Sequence, residues 1–355
     1  MARLDATRTR AILERCREEG FALAGVCSCA PSERAEEYGR WIDEGRHGSM
    51  AYMERNVEAR LDPGVFVEGA RSLVIVADQY WSRNASGDET RDGFGRVARY
   101  ARGDDYHKEM KRRLHAVCDW IRERHGDVLL RAFVDTAPVL EREHALRAGL
   151  GWIGKHTLLI HPARGSYLFL GGIATELELY AAGERVADHC GTCTRCIDAC
   201  PTGAITPYSV DGSRCISELT IERRGAIPGE FHEAIGDWLY GCDICQEVCP
   251  HNSAREDGVD VGAARDAYSM RRSGFDLLEV LGWNEEDRRE AFTRSAMKRA
   301  TLAMMRRNAL IVAGNSLRER EDDALRETIE RASDDEETLV RETAREVLDQ
   351  LEARS

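Results

Sequence analysis

The run CGTCTRCIDACP at residues 190–201 constrains this chain more than any other feature. It spaces four cysteines by two, two and three residues and ends on proline. A structural zinc site needs four tetrahedral ligands, commonly as two CxxC pairs separated by a loop, so a third cysteine at the same close spacing and a fourth before proline do not fit that pattern. The run matches the bacterial ferredoxin pattern, in which three cysteines hold one [4Fe–4S] cube and the fourth binds another. The run therefore predicts a second cluster.

A shorter run, CDICQEVCP at residues 242–250, supplies three further cysteines. Cys215 stands between the two runs and brings the total to eight thiolates, enough for two cubes. If the fourth ligand of each run crosses to the other cluster, one cube is held by Cys190, Cys193, Cys196 and Cys249, and the other by Cys200, Cys215, Cys242 and Cys245. Two neighbouring cubes indicate one-electron transfer.

Composition places the chain among ordinary globular proteins. Of its 355 residues, 43% are hydrophobic and 32% charged. It has no apolar run long enough to span a bilayer, and its first residues are charged, without the apolar core of a signal peptide. We expect a cytoplasmic protein with no membrane partner, whose cysteines stay reduced. The net charge of −13 argues against broad attraction to nucleic acid, although local basic patches can still bind phosphates.

Three compositional zones predict an α+β or α/β multidomain protein. Residues 1–184 alternate helical patterns with β-rich runs and should form a mixed α/β domain. The runs lie at residues 72–81, 128–134, 157–162 and 166–177. Residues 185–255 form a ferredoxin-like domain in which bound metal replaces apolar area. Residues 256–355 are mostly helical, with spacing that suggests antiparallel helix pairs.

The electron acceptor leaves no familiar cofactor motif in the sequence. No GxGxxG follows a strand, and there is no Walker A loop. The segment DYHKEM at residues 105–110 approaches the corrinoid signature D-x-H-x-x-G, but Met110 replaces its glycine. We therefore expect His107 to be a histidine at the start of a helix and not a cobalt ligand.

Several segments together resemble the tRNA epoxyqueuosine reductase family. They are VDTAPVLEREHALRAGLGWIGKHTLLI (134–160), both cysteine runs, RCISELTIE (214–222) and SAMKRATLAMMRRNALIVAGN (295–315). The resemblance implies cob(II)alamin between the α/β and ferredoxin-like domains, and a HEAT-like C-terminus. It also implies reduction of epoxyqueuosine to queuosine at the tRNA wobble position, the last step of queuosine synthesis. We expect a monomer served by a low-potential electron donor.

Two other functions remain open. A corrinoid reductase of a small molecule, related to reductive dehalogenases, would bind cobalamin without affinity for tRNA. An electron-transfer protein of the ferredoxin type would bind clusters and no cobalt. The sequence favours the tRNA enzyme because it lacks an export signal and because its C-terminal helices suit a macromolecular partner.

Asp135 is the predicted proton donor. It follows the apolar run LLRAFV, and strand ends commonly carry chemistry in α/β domains. Desolvation beside a corrin face would raise the pKa of its carboxyl, so that it keeps its proton at neutral pH. The residues alone also allow Asp135 to cap the helix that begins near Pro138; the resemblance favours the acid.

The resemblance also implies cofactor and tRNA contacts. Besides Asp135, the expected cobalamin contacts are Arg60, Tyr100, Lys155, Thr157, Ser217, Cys242 and Asp243. Basic segments at residues 95–113, 222–224 and 297–307 can bind phosphates. From these, the predicted tRNA contacts are Arg223, Arg224, Lys298 and Arg299.

Overall fold

The computed structural model describes residues 6–81, 91–181, 183–253 and 265–353. Its strands are β1 (Leu23–Ser28), β2 (Ser72–Gln79), β3 (Phe94–Val97), β4 (Leu130–Val134), β5 (Trp152–Ile153), β6 (Leu159–Ile160), β7 (Leu168–Thr175), β8 (Ile205–Thr206), β9 (Ser209–Val210), β10 (Trp238–Tyr240) and β11 (Gly274–Asp276). Its α-helices are α1 (Ala6–Glu18), α2 (Ala35–Asp43), α3 (Val57–Leu61), α4 (Pro63–Phe66), α5 (Tyr106–His125), α6 (Glu141–Arg147), α7 (Arg195–Asp198), α8 (Ile216–Ile221), α9 (His232–Ile235), α10 (Ile244–Glu247), α11 (Leu277–Leu281), α12 (Glu285–Ala291), α13 (Leu302–Glu319), α14 (Asp323–Ala332) and α15 (Thr338–Glu352).

A four-stranded sheet in the order β1-β2-β7-β4 forms the centre of the N-terminal part. All of its neighbouring strands are antiparallel. The apolar runs predicted as strands at residues 72–81, 128–134 and 166–177 form β2, β4 and β7, whereas the run at 157–162 contributes only the short β6. The observed pairing makes this part an α+β fold.

Both faces of the sheet are covered, which explains why every residue of β2 is buried. Its side chains alternate between two cores, because successive residues of a strand point to opposite faces. Val74 and Val76 pack with α1 and α5, whereas Leu73 and Ile75 pack with α6. Helices α5 and α6 thus cover opposite faces of the sheet, and the loop that follows β4 leads to α6.

The C-terminal helices share a core with part of the cysteine-rich segment. In a second sheet, of order β10-β3-β11, a strand from the N-terminal part lies between strands from the two later parts. Trp238, Leu239 and Leu277 are buried in the same cluster as the apolar face of α13. Gly314 on α13 lets α15 approach closely, since a Cβ there would lie 2.5 Å from Val347. The domain boundaries at residues 184 and 255 remain sequence predictions, and this packing continues across both.

No helix in the described ranges combines the length and the apolar composition needed to cross a membrane.

Candidate active site

A cavity of about 1530 Å³ lies between the N-terminal part and the cysteine-rich segment. Drug-sized ligands occupy pockets of roughly 300–1,000 Å³, so this space is large for a small molecule alone. Most of the residues predicted from the sequence to contact a cofactor line it, namely Arg60, Tyr100, Asp135, Thr157, Ser217, Cys242 and Asp243. The fold thus brings together side chains that are as far apart in sequence as residues 60 and 243.

Asp135 enters the cavity from the first position after β4. Its φ of 46° lies in the left-handed region, which is unusual for a residue with a side chain. Its Oδ2 lies 3.0 Å from Nε2 of His107, and Nδ1 of His107 lies 2.9 Å from Oδ1 of Asp105. The three side chains form a continuous hydrogen-bonded chain of carboxyl, imidazole and carboxyl.

The start of α5 fixes the imidazole in this chain. Asp105 is the N-cap of the helix and accepts the backbone N–H of His107 at 3.1 Å. The ring of His107 also stacks on Tyr106, with 4.0 Å between ring centroids. His107 is therefore a histidine of the first helical turn, as its sequence context predicts, and it also contacts the predicted acid, which the sequence did not indicate.

In this structure the pKa of Asp135 is lowered, whereas the sequence predicted a raised pKa for a carboxyl group desolvated beside a corrin face. Burial does raise the pKa of this carboxyl, but the hydrogen bond and charge of His107, with Tyr106 and Arg299, outweigh burial and lower it. For His107, burial opposes protonation, but the bonds to Asp105 and Asp135 raise its pKa from 6.5 to about 9. At neutral pH the pair therefore holds one proton, and that proton is on the imidazole.

The eight cysteines of the two runs and Cys215 group spatially as their spacing predicts. The outer set is Cys190, Cys193, Cys196 and Cys249, and each of its first three members raises the pKa of Cys249. The inner set is Cys200, Cys215, Cys242 and Cys245; Cys215 and Cys200 raise the pKa of Cys242. All four inner thiols line the cavity, and no outer thiol does. The described side chains contain no group of three or more His, Cys, Asp or Glu arranged for a single metal ion.

Backbone N–H groups point at the sulfurs of both sets. Burial raises the pKa of Cys215, and the N–H groups of Glu218 and Ser217 oppose this shift. Burial likewise raises the pKa of Cys249, and the N–H group of His251 opposes this shift. Such donors stabilise thiolate, the form that binds iron, and they tune cluster potentials. The chemistry of both sets therefore fits iron–sulfur clusters.

Lys155 lies outside the cavity lining. Its Nζ donates to the backbone carbonyls of Gly191, at 2.7 Å, and Cys193, at 3.0 Å. The ammonium thus holds the loop that carries the outer set. Its predicted contact with a cofactor has no support in this geometry, and bracing of the outer loop explains the residue instead.

Thr157 and Asp243 are held on the cavity wall by arginines. Thr157 has a φ of 67°, and its carbonyl accepts Nη1 of Arg142 at 2.8 Å. Asp243 is buried, with its Oδ2 accepting the backbone N–H of Arg99 at 2.7 Å. Burial raises the pKa of this carboxyl, against the opposing effect of Arg99.

The predicted tRNA contacts lie near one another. Arg299 lines the cavity, is ion-paired with Glu222, and has its Nη1 3.4 Å from the hydroxyl of Tyr52. Arg223 and Arg224 follow Glu222 directly, and Lys298 is exposed beside Arg299. The ion pair thus joins the two basic segments at the edge of the cavity.

Sequence reasoning missed two contributions to the cavity. One is the segment of residues 34–60, whose lining side chains include Tyr38, Trp41 and Arg55. The sequence signal that could have identified this segment is its alternation of arginine and aromatic residues. The other is Glu141, the first residue of α6, whose Oε1 is buried without a hydrogen-bond partner. It lies six positions after Asp135, and only the folded loop shows that both face one space.

A fold with two sets of grouped thiols, one of which lines a large cavity, and with a carboxylate in that cavity paired to an imidazole, defines an iron–sulfur oxidoreductase. Residues 189–252 match the model of a 4Fe-4S double cluster binding domain, which confirms the prediction of two clusters. Residues 60–136 match the model described as "Epoxyqueuosine reductase QueG, DUF1730".

Comparison over the full length of the chain also identifies epoxyqueuosine reductases as relatives. The epoxyqueuosine reductase of Cyclobacterium marinum is 40% identical over 81% of this chain and 91% of its own length. An epoxyqueuosine reductase solved with an epoxyqueuosine-modified tRNA-Tyr stem loop matches with a TM-score of 0.83 at 25% identity, over 98% of this chain and 99% of that one. The Bacillus subtilis enzyme, solved with its catalytic aspartate loop swung out of the active site, matches with a TM-score of 0.81 at 26% identity, over 97% of this chain and 90% of that one. The chain belongs to the epoxyqueuosine reductase family.

Proposed function

We propose that this protein reduces epoxyqueuosine to queuosine in tRNA, the last step of queuosine synthesis. The observation that carries the proposal is that one cavity is lined both by Asp135, paired with His107, and by the four inner thiols. A proton source and an electron source therefore face the same space. The relative solved with a modified tRNA stem loop supports tRNA as the substrate.

The cofactor that we place in the cavity is cobalamin. The cavity is large enough to suggest a macrocycle together with substrate, and Arg60, Tyr100, Thr157, Ser217 and Asp243 would hold it. When bound and reduced, a corrinoid supplies an electron-rich metal centre for the reductive opening of a carbon–oxygen bond. We also propose a HEAT-like arrangement of the C-terminal helices, a monomeric state and a cytoplasmic location.

Asp135 acts as the proton donor to the epoxide oxygen. Because the proton of the pair is on His107 at neutral pH, the transfer runs from the imidazole through the carboxyl group to the substrate. Asp105 accepts a hydrogen bond from the other ring nitrogen and keeps the imidazole oriented. In the Bacillus subtilis relative the catalytic aspartate is carried on a loop, which agrees with the position of Asp135 after β4.

Electrons enter through the outer set and leave through the inner set. Cys190 and Cys193 are partly exposed and are surrounded by exposed residues, whereas the inner thiols form part of the cavity wall. A low-potential donor therefore meets the outer cluster first. The four basic residues Arg223, Arg224, Lys298 and Arg299 would hold the tRNA backbone while the modified base enters the cavity.

The test is anaerobic turnover with reconstituted protein, a low-potential reductant and epoxyqueuosine-bearing tRNA, with and without cobalamin. We expect queuosine in the digested nucleosides only when cobalamin is present, and its formation should be slowed by about 10²–10⁴-fold in Asp135→Asn with iron content unchanged. Cobalamin binding without queuosine would favour reduction of a small molecule. Cluster assembly without cobalamin binding would favour a pure electron-transfer protein.

A further inference from the structure

The chemistry of the proposed reaction requires more protons than the Asp135–His107 pair holds. Removing an epoxide oxygen converts the carbon–oxygen–carbon ring, two electrons and two protons into a carbon–carbon double bond and water. The electrons come from the low-potential donor through the clusters. The first proton goes to the oxygen as one carbon–oxygen bond breaks, and the second goes to the same oxygen as the other bond breaks and water leaves.

We propose that Glu141 delivers the second proton. This inference rests on the proposed function and assigns a residue of the same cavity to it. Glu141 begins α6, six positions after Asp135, and four of the five residues between them also line the cavity. Asp135 and Glu141 therefore stand as two carboxyl groups on one wall.

The hydrogen-bonding state of Glu141 separates it from the other carboxyl groups on the wall. Asp243 accepts from Arg99, Glu218 accepts from Ser49, and Glu143 accepts from Ser32. Oε1 of Glu141 has no partner within the described residues and is inaccessible to solvent. The carboxyl group keeps a hydrogen bond from its own backbone N–H, which opposes the rise of its pKa. A buried carboxylate oxygen without a partner is costly, whereas a protonated carboxyl group is not.

The charged and titratable groups around Glu141 also favour the acid. Burial has the largest effect and raises its pKa, the charge of Asp135 adds to this, and Arg142 and Arg60 oppose it; the resulting pKa is about 8. The other titratable neighbour, Tyr106, is neutral, with its own pKa raised by burial and Asp135. Two carboxyl groups in one cavity with pKa values shifted in opposite directions form a familiar acid–base arrangement.

The first experiment locates the proton. Difference infrared spectra of the wild type and Glu141→Gln, recorded at neutral pH without cobalamin, should show the carbonyl band of a protonated carboxylic acid in the wild type only. Glu123→Gln, whose side chain is 73% exposed on α5, is the matched control and should not remove this band. Retention of the band in Glu141→Gln, or its absence from the wild type, would overturn the inference.

The second experiment is a pH profile of queuosine formation. The wild-type rate should fall as the pH rises through about 8, because Glu141 then loses its proton. Glu141→Gln should be slower by about 10²-fold, since one general acid contributes on the order of 10²–10⁴-fold. Its alkaline fall should move up to about 9, where His107 loses its proton. Glu123→Gln should keep the wild-type profile.

The outcomes separate this inference from the proposed function. Wild-type turnover with an unchanged rate and profile in Glu141→Gln overturns the inference alone. Failure of the wild-type enzyme to form queuosine overturns the proposed function and the inference with it. If Glu141→Gln loses its iron on purification, Glu141→Asp is measured instead. That variant keeps a titratable group in a changed position, so the midpoint of its alkaline fall should differ from that of the wild type; an unmoved fall contradicts the inference.

Discussion

The inner and outer thiol sets arise from similar sequence runs, yet they occupy different surroundings. All four inner thiols lie on the wall of the cavity, beside residues assigned to cofactor binding. The outer set lies beyond that wall, with Cys190 and Cys193 partly exposed and Lys155 bracing their loop. The difference teaches that cysteine spacing determines what can bind, whereas position in the fold determines which cluster receives electrons and which delivers them.

Removing one ligand from each set should give the largest contrast. Cys215→Ala and Cys193→Ala should each lose about half of the iron, since each disrupts one of two equal cubes. With a small, strong reductant, Cys215→Ala should form no queuosine, because the cluster at the cavity is gone. Cys193→Ala should keep part of its turnover, because the reductant can reach the inner cluster directly. Equal loss in both variants would contradict the division of roles.

The next contrast concerns the proton source on the inner side. Asp135→Asn should reduce turnover by about 10²–10⁴-fold, the usual contribution of one general acid, without changing iron content. His107→Gln should reduce it less, because the carboxyl group remains but loses its charged partner. Single-turnover rates measured with pre-reduced protein isolate this step from electron entry. A normal rate in Asp135→Asn would exclude it as the donor.

Removal of a positive charge at the edge of the cavity should weaken tRNA binding, whereas removal of one beside the outer set should not. Lys298→Ala and Arg299→Ala should each weaken binding uniformly across tRNA sequences and reduce the slope of log affinity against log salt by about 1. Arg195→Ala, an exposed arginine beside the outer thiols, is the matched control. Filter binding over a range of salt concentrations measures all three. The same loss in Arg195→Ala would show that the effect is one of net charge.

The carboxylate–imidazole pair should also make stability depend on pH. Because the pKa of His107 rises from 6.5 to about 9 on folding, its stabilising contribution is complete below about 6.5 and is lost as the pH rises through about 9. The lowered pKa of Asp135 makes its contribution disappear at acid pH. Urea unfolding of the wild type and His107→Gln should therefore differ most at mildly acid pH, below about 6.5 and above the range in which Asp135 takes up its proton. A difference that stays constant to alkaline pH would contradict the ion pair.

A smaller effect is expected from Lys155→Met, which should act on the outer set alone. Losing two bonds to the carbonyls of Gly191 and Cys193 should loosen the loop and speed the release of outer-cluster iron in air. The inner cluster should be unaffected. Time courses of iron release, compared with Lys298→Met, measure this.

Much of the fold follows from local patterns. The β-rich run at residues 72–81 predicted a strand, and it forms β2, which is buried because both sheet faces are covered. The spacing of the cysteines predicted two sets of four thiols, and Cys249 and Cys242 each lie near other members of their own set. The antiparallel order of the sheet was not predictable, since nothing local in β4 or β7 specifies its neighbour.

The electrostatics of the site depended on contacts that no local pattern shows. Asp135 and His107 are separated by 28 residues and belong to different elements. Desolvation alone predicted a raised pKa for the carboxyl group, but a charged partner reverses the direction. Lys155 was assigned together with Thr157, two positions further along the chain, yet Lys155 donates to the loop of the outer set whereas Thr157 lines the cavity.

The central claim is that the inner cluster adjoins the cofactor and the outer cluster does not. Electron paramagnetic resonance of cob(II)alamin added to the reduced protein tests it, because a nearby paramagnetic cluster speeds the relaxation of the cobalt signal. We expect fast relaxation in the wild type and Cys193→Ala, and slow relaxation in Cys215→Ala. Fast relaxation in Cys215→Ala and slow relaxation in Cys193→Ala would contradict the claim and assign the cavity to the outer set.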